Sequence, residues 1–158
     1  MSPKFSTYSL VCSRCYSRYN DNGTILYCRD CATQGFKTIL ELSPDTPVFD
    51  HQETGIYRYA SFLPLKEMQC GGKHPTKTIR SKAFAKKYGF KELYFTMTGF
   101  SEHFGIDAST CSFKELEAMV VINRLKSYGV TKRLVVASAV NTARAFAYYA
   151  ALLEYPVL

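Results

Sequence analysis

Hydrophobic positions in the second half of the chain alternate between a helical spacing and short apolar runs. Apolar residues three or four positions apart indicate amphipathic helices, whereas short runs rich in β-branched and aromatic residues indicate buried strands. The pattern over residues 76–158 predicts, in order, a helix at 78–89, a strand at 92–98, a helix at 113–129, a strand at 133–139, a helix at 141–153 and the start of a strand at 155–158. This order is typical of βαβ units with parallel strands and right-handed crossovers.

The first 75 residues follow a different pattern. Residues 1–40 are short alternating runs around four cysteines, and residues 41–75 contain prolines and glycines without a regular hydrophobic spacing. We therefore divide the chain into a ribbon at 1–40, a connector at 41–75 and a partial α/β domain at 76–158. The predicted fold class is α/β with an incomplete parallel sheet, whose faces and edges need cover. We expect the chain to be the front part of something larger, completed by a missing C-terminal half or by a second copy.

The four cysteines form two CxxC pairs that are separated by twelve residues. They are Cys12, Cys15, Cys28 and Cys31. A CxxC turn places two thiolates on one tetrahedral metal ion, and two such turns complete a set of four ligands. Residues 6–12 and 24–28 look like hairpin strands with a turn at 20–23. We therefore predict a zinc ribbon whose metal is structural, because four thiolates leave no open coordination position. Disulfides are the alternative, and they fit a cytoplasmic chain poorly.

Composition and charge narrow the class of protein. The chain has 158 residues, of which 47% are apolar, so it is unlike a disordered chain. It contains no apolar run long enough for a transmembrane helix and no apolar stretch typical of a signal peptide, and we expect it to be cytoplasmic. The net charge of +7 is densest at 77–91, which holds six basic residues and no acidic ones. This surplus could attract nucleic acid or anionic substrates, although a solvated helix face is the simpler interpretation.

Lys114 occupies an unusual position for a cation. Ser112 followed by Glu115 is a capping box that begins a helix, so Lys114 lies in the first helical turn. The positive end of the helix dipole disfavours an ammonium ion there. A neutral amine is what a Schiff-base lysine needs. The alternative is a surface lysine that turns away from the helix end.

A second strand-to-helix junction has the same form. The strand at 133–139 ends, and Asn141 and Thr142 begin the next helix. Asn141 could cap this helix, and the free N–H groups of its first turn could hold a carboxylate. Because parallel strands end at one edge of their sheet, Lys114 and Asn141 should face the same crevice. A plain helix cap is the alternative for Asn141.

Two segments carry a resemblance to a known family. "CSFKELEA" (111–118) and "VVASAVNTARAFAYYA" (135–150) resemble fold-type II pyridoxal-phosphate enzymes of the threonine synthase group, which often carry SFK and SxGNT motifs at these places. The cysteine ribbon and "GIYRYASFLPL" (55–65) are also similar to that group. Within the group, the chain resembles the archaeal cysteate synthase family. Val140 stands where the group's SxGN motif has its glycine.

The resemblance implies roles for individual residues. Lys114 would hold pyridoxal 5'-phosphate covalently and act as the proton-transfer base, and Asn141 would donate a hydrogen bond to the ring oxygen of the cofactor. The substrate carboxylate would be held by Ser138, Asn141 and Thr142. The family's glycine-rich loop for the cofactor phosphate lies further along its chains, so we expect catalysis to need more polypeptide than these residues.

The resemblance also implies a reaction. O-phosphoserine and sulfite would be converted to cysteate and phosphate, a step of coenzyme M biosynthesis. We accordingly expect small-molecule substrates rather than nucleic acid or a membrane as partners. The alternatives are a threonine synthase-like enzyme that acts on O-phosphohomoserine, and a non-catalytic zinc-ribbon remnant or nucleic-acid-binding module.

Overall fold

The computed structural model describes residues 5–71 and 76–158. Residues 1–4 of the predicted ribbon and 72–75 of the predicted connector therefore lie outside the described residues. The strands are β1 (Tyr8–Cys12), β2 (Arg18–Tyr19), β3 (Leu40–Pro44), β4 (Lys77–Arg80), β5 (Tyr94–Met97), β6 (Phe100–Ser101) and β7 (Ile106–Asp107). The α-helices are α1 (Arg29–Ala32), α2 (Lys82–Tyr88), α3 (Lys114–Ser127) and α4 (Asn141–Leu152), and 3₁₀ helices span Gly55–Phe62 and Glu102–Phe104. No helix among these described residues is long and apolar enough to cross a membrane.

The N-terminal sheet has β1 at its centre. β1 pairs antiparallel with β2 on one side and with β3 on the other, so that Leu10 lies opposite both Tyr19 and Leu42. The strand predicted at 6–12 is thus confirmed over 8–12. The strand predicted at 24–28 is wrong, because this segment contributes one isolated bridge from Tyr27 to Ile39. The chain turns just before it, where the Asn22 side chain accepts the N–H groups of residues 24 and 25.

The basic segment at 77–91 folds as a strand, a helix and a turn rather than as one helix. The helix predicted from residue 78 is wrong up to residue 80, which belongs to β4. β-Branched Thr78 and Ile79 favour an extended backbone, and the Thr78 hydroxyl lies 3.2 Å from that of Thr96 on β5. Ser81 then begins α2 by accepting the N–H of Phe84, and Gly89 ends it with a φ of 71°.

The strand predicted at 92–98 is confirmed as β5, but its pairing differs from the expectation. β5 pairs antiparallel with β4 and with no other strand of the described chain. It therefore does not join a parallel sheet with the segment at 133–139. A two-stranded sheet is marginal without further cover, and α2 supplies cover on one face through the edge-to-face contact of Phe84 with Phe95.

Helices α3 and α4 form the main apolar core, which confirms both predicted helices. The buried side chains at this contact include Ala118, Met119, Ile122, Ala145, Phe146, Tyr149 and Ala150. Their spacing of three and four positions gives each helix one apolar face toward the other. Leu153 and Tyr155, just beyond α4, close the end of this core.

A minimal parallel pairing flanks α4. The strand predicted at 133–139 is reduced to a short extended segment, in which Leu134 N–H donates to Pro156 and Val136 N–H donates to Leu158. Leu134 and Val157 form the parallel bridge. The predicted order of strand, helix and parallel strand is therefore confirmed here, although only three hydrogen bonds connect the two segments. The pairing is too short to count as a ladder, and its residues Leu134, Val136 and Val157 pack partly buried against the core.

The cysteine ribbon is attached to α3 by a buried ion pair. Asp21 accepts hydrogen bonds from Arg124 Nε at 2.8 Å and from Arg124 Nη2 at 2.7 Å. Tyr8 also donates its hydroxyl hydrogen to the Asp21 carboxylate. Because a tyrosine has only one hydroxyl hydrogen, the hydrogen bond between the Tyr8 and Tyr128 hydroxyl groups must be donated by Tyr128. Gly23, at a φ of 83°, approaches so closely that a Cβ there would lie 2.8 Å from Tyr128 Cβ. The ribbon therefore has a fixed place against the end of α3.

Candidate functional site

The four predicted cysteine ligands come together in one cluster. All of their Sγ atoms lie within 4.8 Å of one another. Cys12 and Cys31 are 3.7 Å apart, and Cys15 and Cys28 are 3.4 Å apart. Tetrahedral zinc with bonds of about 2.3 Å requires thiolates roughly 3.8 Å from each other. All four are free thiols rather than disulfides, so the donor set fits one tetrahedral metal ion.

Local backbone turns aim these thiols at one point. Cys12 Sγ accepts the N–H groups of residues 14 and 15, and Cys28 Sγ accepts the N–H of Cys31 at the start of α1. Hydrogen bonding with Ser17 lowers the pKa of Cys15 to about 6, whereas burial raises the pKa of Cys31 to about 12. Metal binding must therefore displace a proton from the buried thiol, which couples metal affinity to pH.

Lys114 is the first residue of α3, as the sequence predicts, but the capping box is wrong. The N-cap residue is Phe113, which makes no capping hydrogen bond through its side chain. Ser112 Oγ instead accepts the N–H of Lys114 at 3.2 Å. The Glu115 carboxylate reaches back past Ser112 and accepts the N–H of Thr110. The turn before Lys114 is thus organised by side chains, in a pattern different from the one expected.

The amine of Lys114 has an anionic partner close by. Lys114 Nζ lies 2.8 Å from Glu117 Oε2, and the Lys114 side chain is 33% exposed. The ammonium group also lies 5.2 Å from the centre of the Phe113 ring. The acidic residues of the first turn offset the unfavourable placement of a cation at the start of the helix. The amine is accessible, and it must leave Glu117 before it can react with a carbonyl compound.

The residues predicted at the second junction lie at the surface near the start of α4. Val140 is the N-cap and Asn141 is the first helical residue, so the predicted Asn141 cap is wrong. Ser138 and Asn141 are exposed and Thr142 is half-buried. Val140 has a φ of −144° and a ψ of −84°, so it lies outside the left-handed region that favours glycine, and also outside the standard α and β regions. The N–H groups of this first turn have no side-chain cap and are available to an anion.

Thr110 connects the two junctions, which the sequence does not predict. Its N–H is held by Glu115 of α3, and its carbonyl accepts a hydrogen bond from Arg144 Nη1 of α4 at 3.3 Å. We call this arrangement the Thr110 bridge. The only hint in the sequence is an arginine in an otherwise alanine-rich helix, one turn after Asn141.

Two cavities of the described chain bear on these junctions, and neither Lys114 nor Asn141 lines them. The cavity beside the start of α3 measures about 20 Å³ and is lined by Ser112, Phe113 and Glu115 among others. A cavity of about 670 Å³ lies between residues 5–7 and 46–61. No residue of α3 or α4 lines it. The chemistry at Lys114 and Asn141 fits an aldehyde and a carboxylate, but the described residues alone do not enclose a pyridine ring.

Comparison with known proteins finds relatives that are named cysteate synthases. The chain is 36% identical over 154 residues to a cysteate synthase of Methanocella paludicola and 37% identical over 145 residues to one of Methanosarcina barkeri. It is 34% identical over 157 residues to a cysteate synthase of Methanosphaerula palustris. These matches cover 92–96% of the chain. No family model and no solved structure matches it.

The match extends over only part of each relative. The chain spans about one third of the length of these curated relatives, with shares of 34%, 33% and 34%. The similarity runs through both the cysteine cluster and the two helix junctions, because it covers nearly all of the chain. The expected resemblance is therefore confirmed: this chain is related to the cysteate synthases and corresponds to about one third of such an enzyme.

Proposed function

We propose that this chain is the metal-binding and lysine-bearing part of a pyridoxal-phosphate enzyme of the cysteate synthase type. The reaction would be the replacement of the phosphate of O-phosphoserine by sulfite, which gives cysteate and inorganic phosphate. The observation that carries this proposal is the similarity to cysteate synthases over 92–96% of the chain. The accessible lysine at the start of α3 supports it independently, because a primary amine is the group that binds an aldehyde cofactor.

Lys114 would bind the cofactor and move the proton. Pyridoxal phosphate, when bound, supplies an electron sink for the carbon next to the substrate amine. Opening of the ion pair with Glu117 would free the Lys114 amine to bind the aldehyde. The same amine would take the proton from the α-carbon of the substrate.

The start of α4 would orient the substrate and the cofactor ring. The uncapped N–H groups of its first turn and the hydroxyl groups of Ser138 and Thr142 are suited to a carboxylate. Asn141 would donate a hydrogen bond from its side-chain amide to the ring oxygen of the cofactor. These groups would hold the amino acid so that its α-proton and its phosphate ester are presented in one orientation.

Further polypeptide would complete the site. The cavity of about 20 Å³ beside α3 holds no more than a water molecule. We therefore infer that a second copy of the chain, or polypeptide equivalent to the remaining two thirds of the relatives, covers Lys114 in the active enzyme. The four-cysteine cluster would hold structural zinc, which stabilises the ribbon that contacts α3.

The first test is covalent trapping of the cofactor on Lys114. The chain is mixed with pyridoxal 5'-phosphate and reduced with borohydride, and the labelled peptide is identified by mass spectrometry. We expect preferential labelling of Lys114, loss of that label in Lys114→Ala, and no change in Lys91→Ala, which removes an exposed lysine elsewhere. Glu117→Gln should speed labelling because it removes the ion pair. Equal labelling of all lysines would contradict the proposal.

The second test distinguishes the substrates. O-phosphoserine and O-phosphohomoserine are offered separately with sulfite, and release of phosphate and formation of cysteate or threonine are measured. The proposal expects cysteate from O-phosphoserine in the presence of polypeptide that completes the site. Threonine from O-phosphohomoserine would instead favour the threonine synthase-like alternative.

A further inference from the structure

The Thr110 bridge joins two buried residues, Thr110 and Glu115, to the exposed Arg144. Thr110 is 4% exposed and Glu115 is 2% exposed. Within residues 5–71 and 76–158, Thr110 Oγ1 and Glu115 Oε2 have no hydrogen-bond partner. A buried carboxylate oxygen that no donor contacts destabilises the fold. Buried polar atoms without a hydrogen-bond partner are rare in proteins, and they are concentrated at sites that need a fixed geometry.

The bridge acts on the short loop that leads into α3. Thr110 is held on its N–H side by Glu115 and on its carbonyl side by Arg144. Two residues later, Ser112 Oγ accepts the N–H of Lys114. The backbone direction at which α3 begins is therefore fixed from both helices. Loss of either contact with Thr110 would let the first turn, and the Lys114 side chain with it, take other orientations.

We propose that Arg144 is a positioning residue for Lys114, and that it acts through the Thr110 bridge. The inference rests on the proposed function, in which the Lys114 amine reacts with pyridoxal phosphate. Arg144 suits this role because its guanidinium group is planar and carries five N–H donors, of which one suffices for the Thr110 carbonyl. Arg144 lies one turn after Asn141, so the same contact sets the spacing between the lysine and the start of α4.

Hydrogen exchange tests the bridge without any cofactor. The complete chain, loaded with zinc, is compared with Arg144→Gln by mass spectrometry of peptides that contain residues 108–113. We expect faster exchange in this loop and in the first turn of α3, and unchanged exchange in the ribbon. Arg80→Gln is the matched control, because it removes one exposed arginine that is paired with Glu92. Unchanged exchange of the loop in Arg144→Gln would overturn the proposal.

Labelling with pyridoxal 5'-phosphate tests the positioning. We expect Arg144→Gln to lower the initial rate of Lys114 labelling by roughly 10- to 100-fold, since a misplacement of about 1 Å can cost about 100-fold, and Arg80→Gln to leave it unchanged. Arg144→Lys should restore most of the rate, because its ammonium group can still donate to Thr110. If Arg144→Gln speeds hydrogen exchange in the loop at 108–113 but leaves the rate of Lys114 labelling unchanged, the positioning role is overturned. Absence of preferential Lys114 labelling in the parent chain would instead overturn the proposed function, and the positioning role with it.

Discussion

Replacement of Asp21 by asparagine should strongly destabilise the contact between the ribbon and α3. The side chain of Asp21 is 1% exposed and that of Arg124 is 15% exposed. Breaking a buried ion pair costs about 3–5 kcal/mol, because the remaining charge keeps its desolvation penalty. Arg124 retains some access to water, so we expect the lower end of that range, about 3 kcal/mol. This is a large part of the stability of an ordinary domain, which is about 5–15 kcal/mol.

The pH dependence gives a second signature of the same contact. Burial alone would raise the pKa of Asp21, but hydrogen bonds from Arg124, Tyr8 and the Gly23 N–H outweigh it and lower the pKa below its usual value. The stabilisation is therefore complete above the unfolded pKa of about 3.9. It is lost as the pH falls through the lower pKa of the folded state. Asp21→Asn removes this contribution, so its stability should depend less on pH on the acid side.

Urea unfolding of the zinc-loaded chain, followed by circular dichroism, measures both effects. Glu92→Gln is the matched control, because it breaks an ion pair with Arg80 whose side chains are about half exposed. We expect that control to cost about 0–1 kcal/mol. Thermal unfolding should show Asp21→Asn melting about 6–12 °C lower than the parent. Equal midpoints for the two variants would refute the claim that the ribbon contact is a buried ion pair.

Three further changes probe the metal site, the contact of Gly23 with Tyr128 and the apolar core between α3 and α4. Cys28→Ser or a strong chelator should abolish stoichiometric zinc binding and unfold the ribbon, as seen by metal analysis and near-ultraviolet circular dichroism; an unchanged zinc content would contradict the ligand set. Gly23→Ala should cost more than the roughly 1 kcal/mol of strain expected for Gly35→Ala, because only the first places a Cβ against Tyr128; equal urea midpoints would argue against that contact. Ile122→Ala removes a fully buried side chain between α3 and α4 and should cost about 2–5 kcal/mol in the same assay; a cost below 1 kcal/mol would mean that the core is loosely packed.

Local features of the fold could be predicted from the sequence. Helices α3 and α4 follow from a repeated apolar spacing over several turns, which is the most reliable pattern in a single chain. The cysteine cluster follows from ligand spacing, because CxxC turns have one common geometry. Gly89 could be placed at a helix end for a similar reason, since its positive φ belongs to a standard helix termination.

Features that depend on partners distant in sequence could not be predicted. The extended backbone of Thr78 and Ile79 depends on pairing with β5, and the composition of "TIRSKAFAKKYG" does not reveal that partner. The Ser112 and Glu115 pattern is compatible with a capping box, but the carboxylate finds the N–H of Thr110 instead. Asn141 lies one position after the N-cap of α4. The position at which α4 begins depends on where the extended segment at 134–136 stops pairing with residues 156–158. Such choices are made by tertiary contacts rather than by propensity.

The separation of Asp21 and Arg124, 103 positions along the chain, determines when the ribbon can attach during synthesis. A ribosome delivers the N-terminus first, so the cysteine turns can take up metal while α3 has yet to be made. Bringing two residues so far apart in sequence together on a flexible chain costs roughly 4 kcal/mol in the length-dependent part of the loop entropy. This cost exceeds the stabilisation of about 3 kcal/mol expected from the ion pair. Attachment must therefore wait for α3 and α4 to pack, and until then the nascent ribbon is an independent, tethered module.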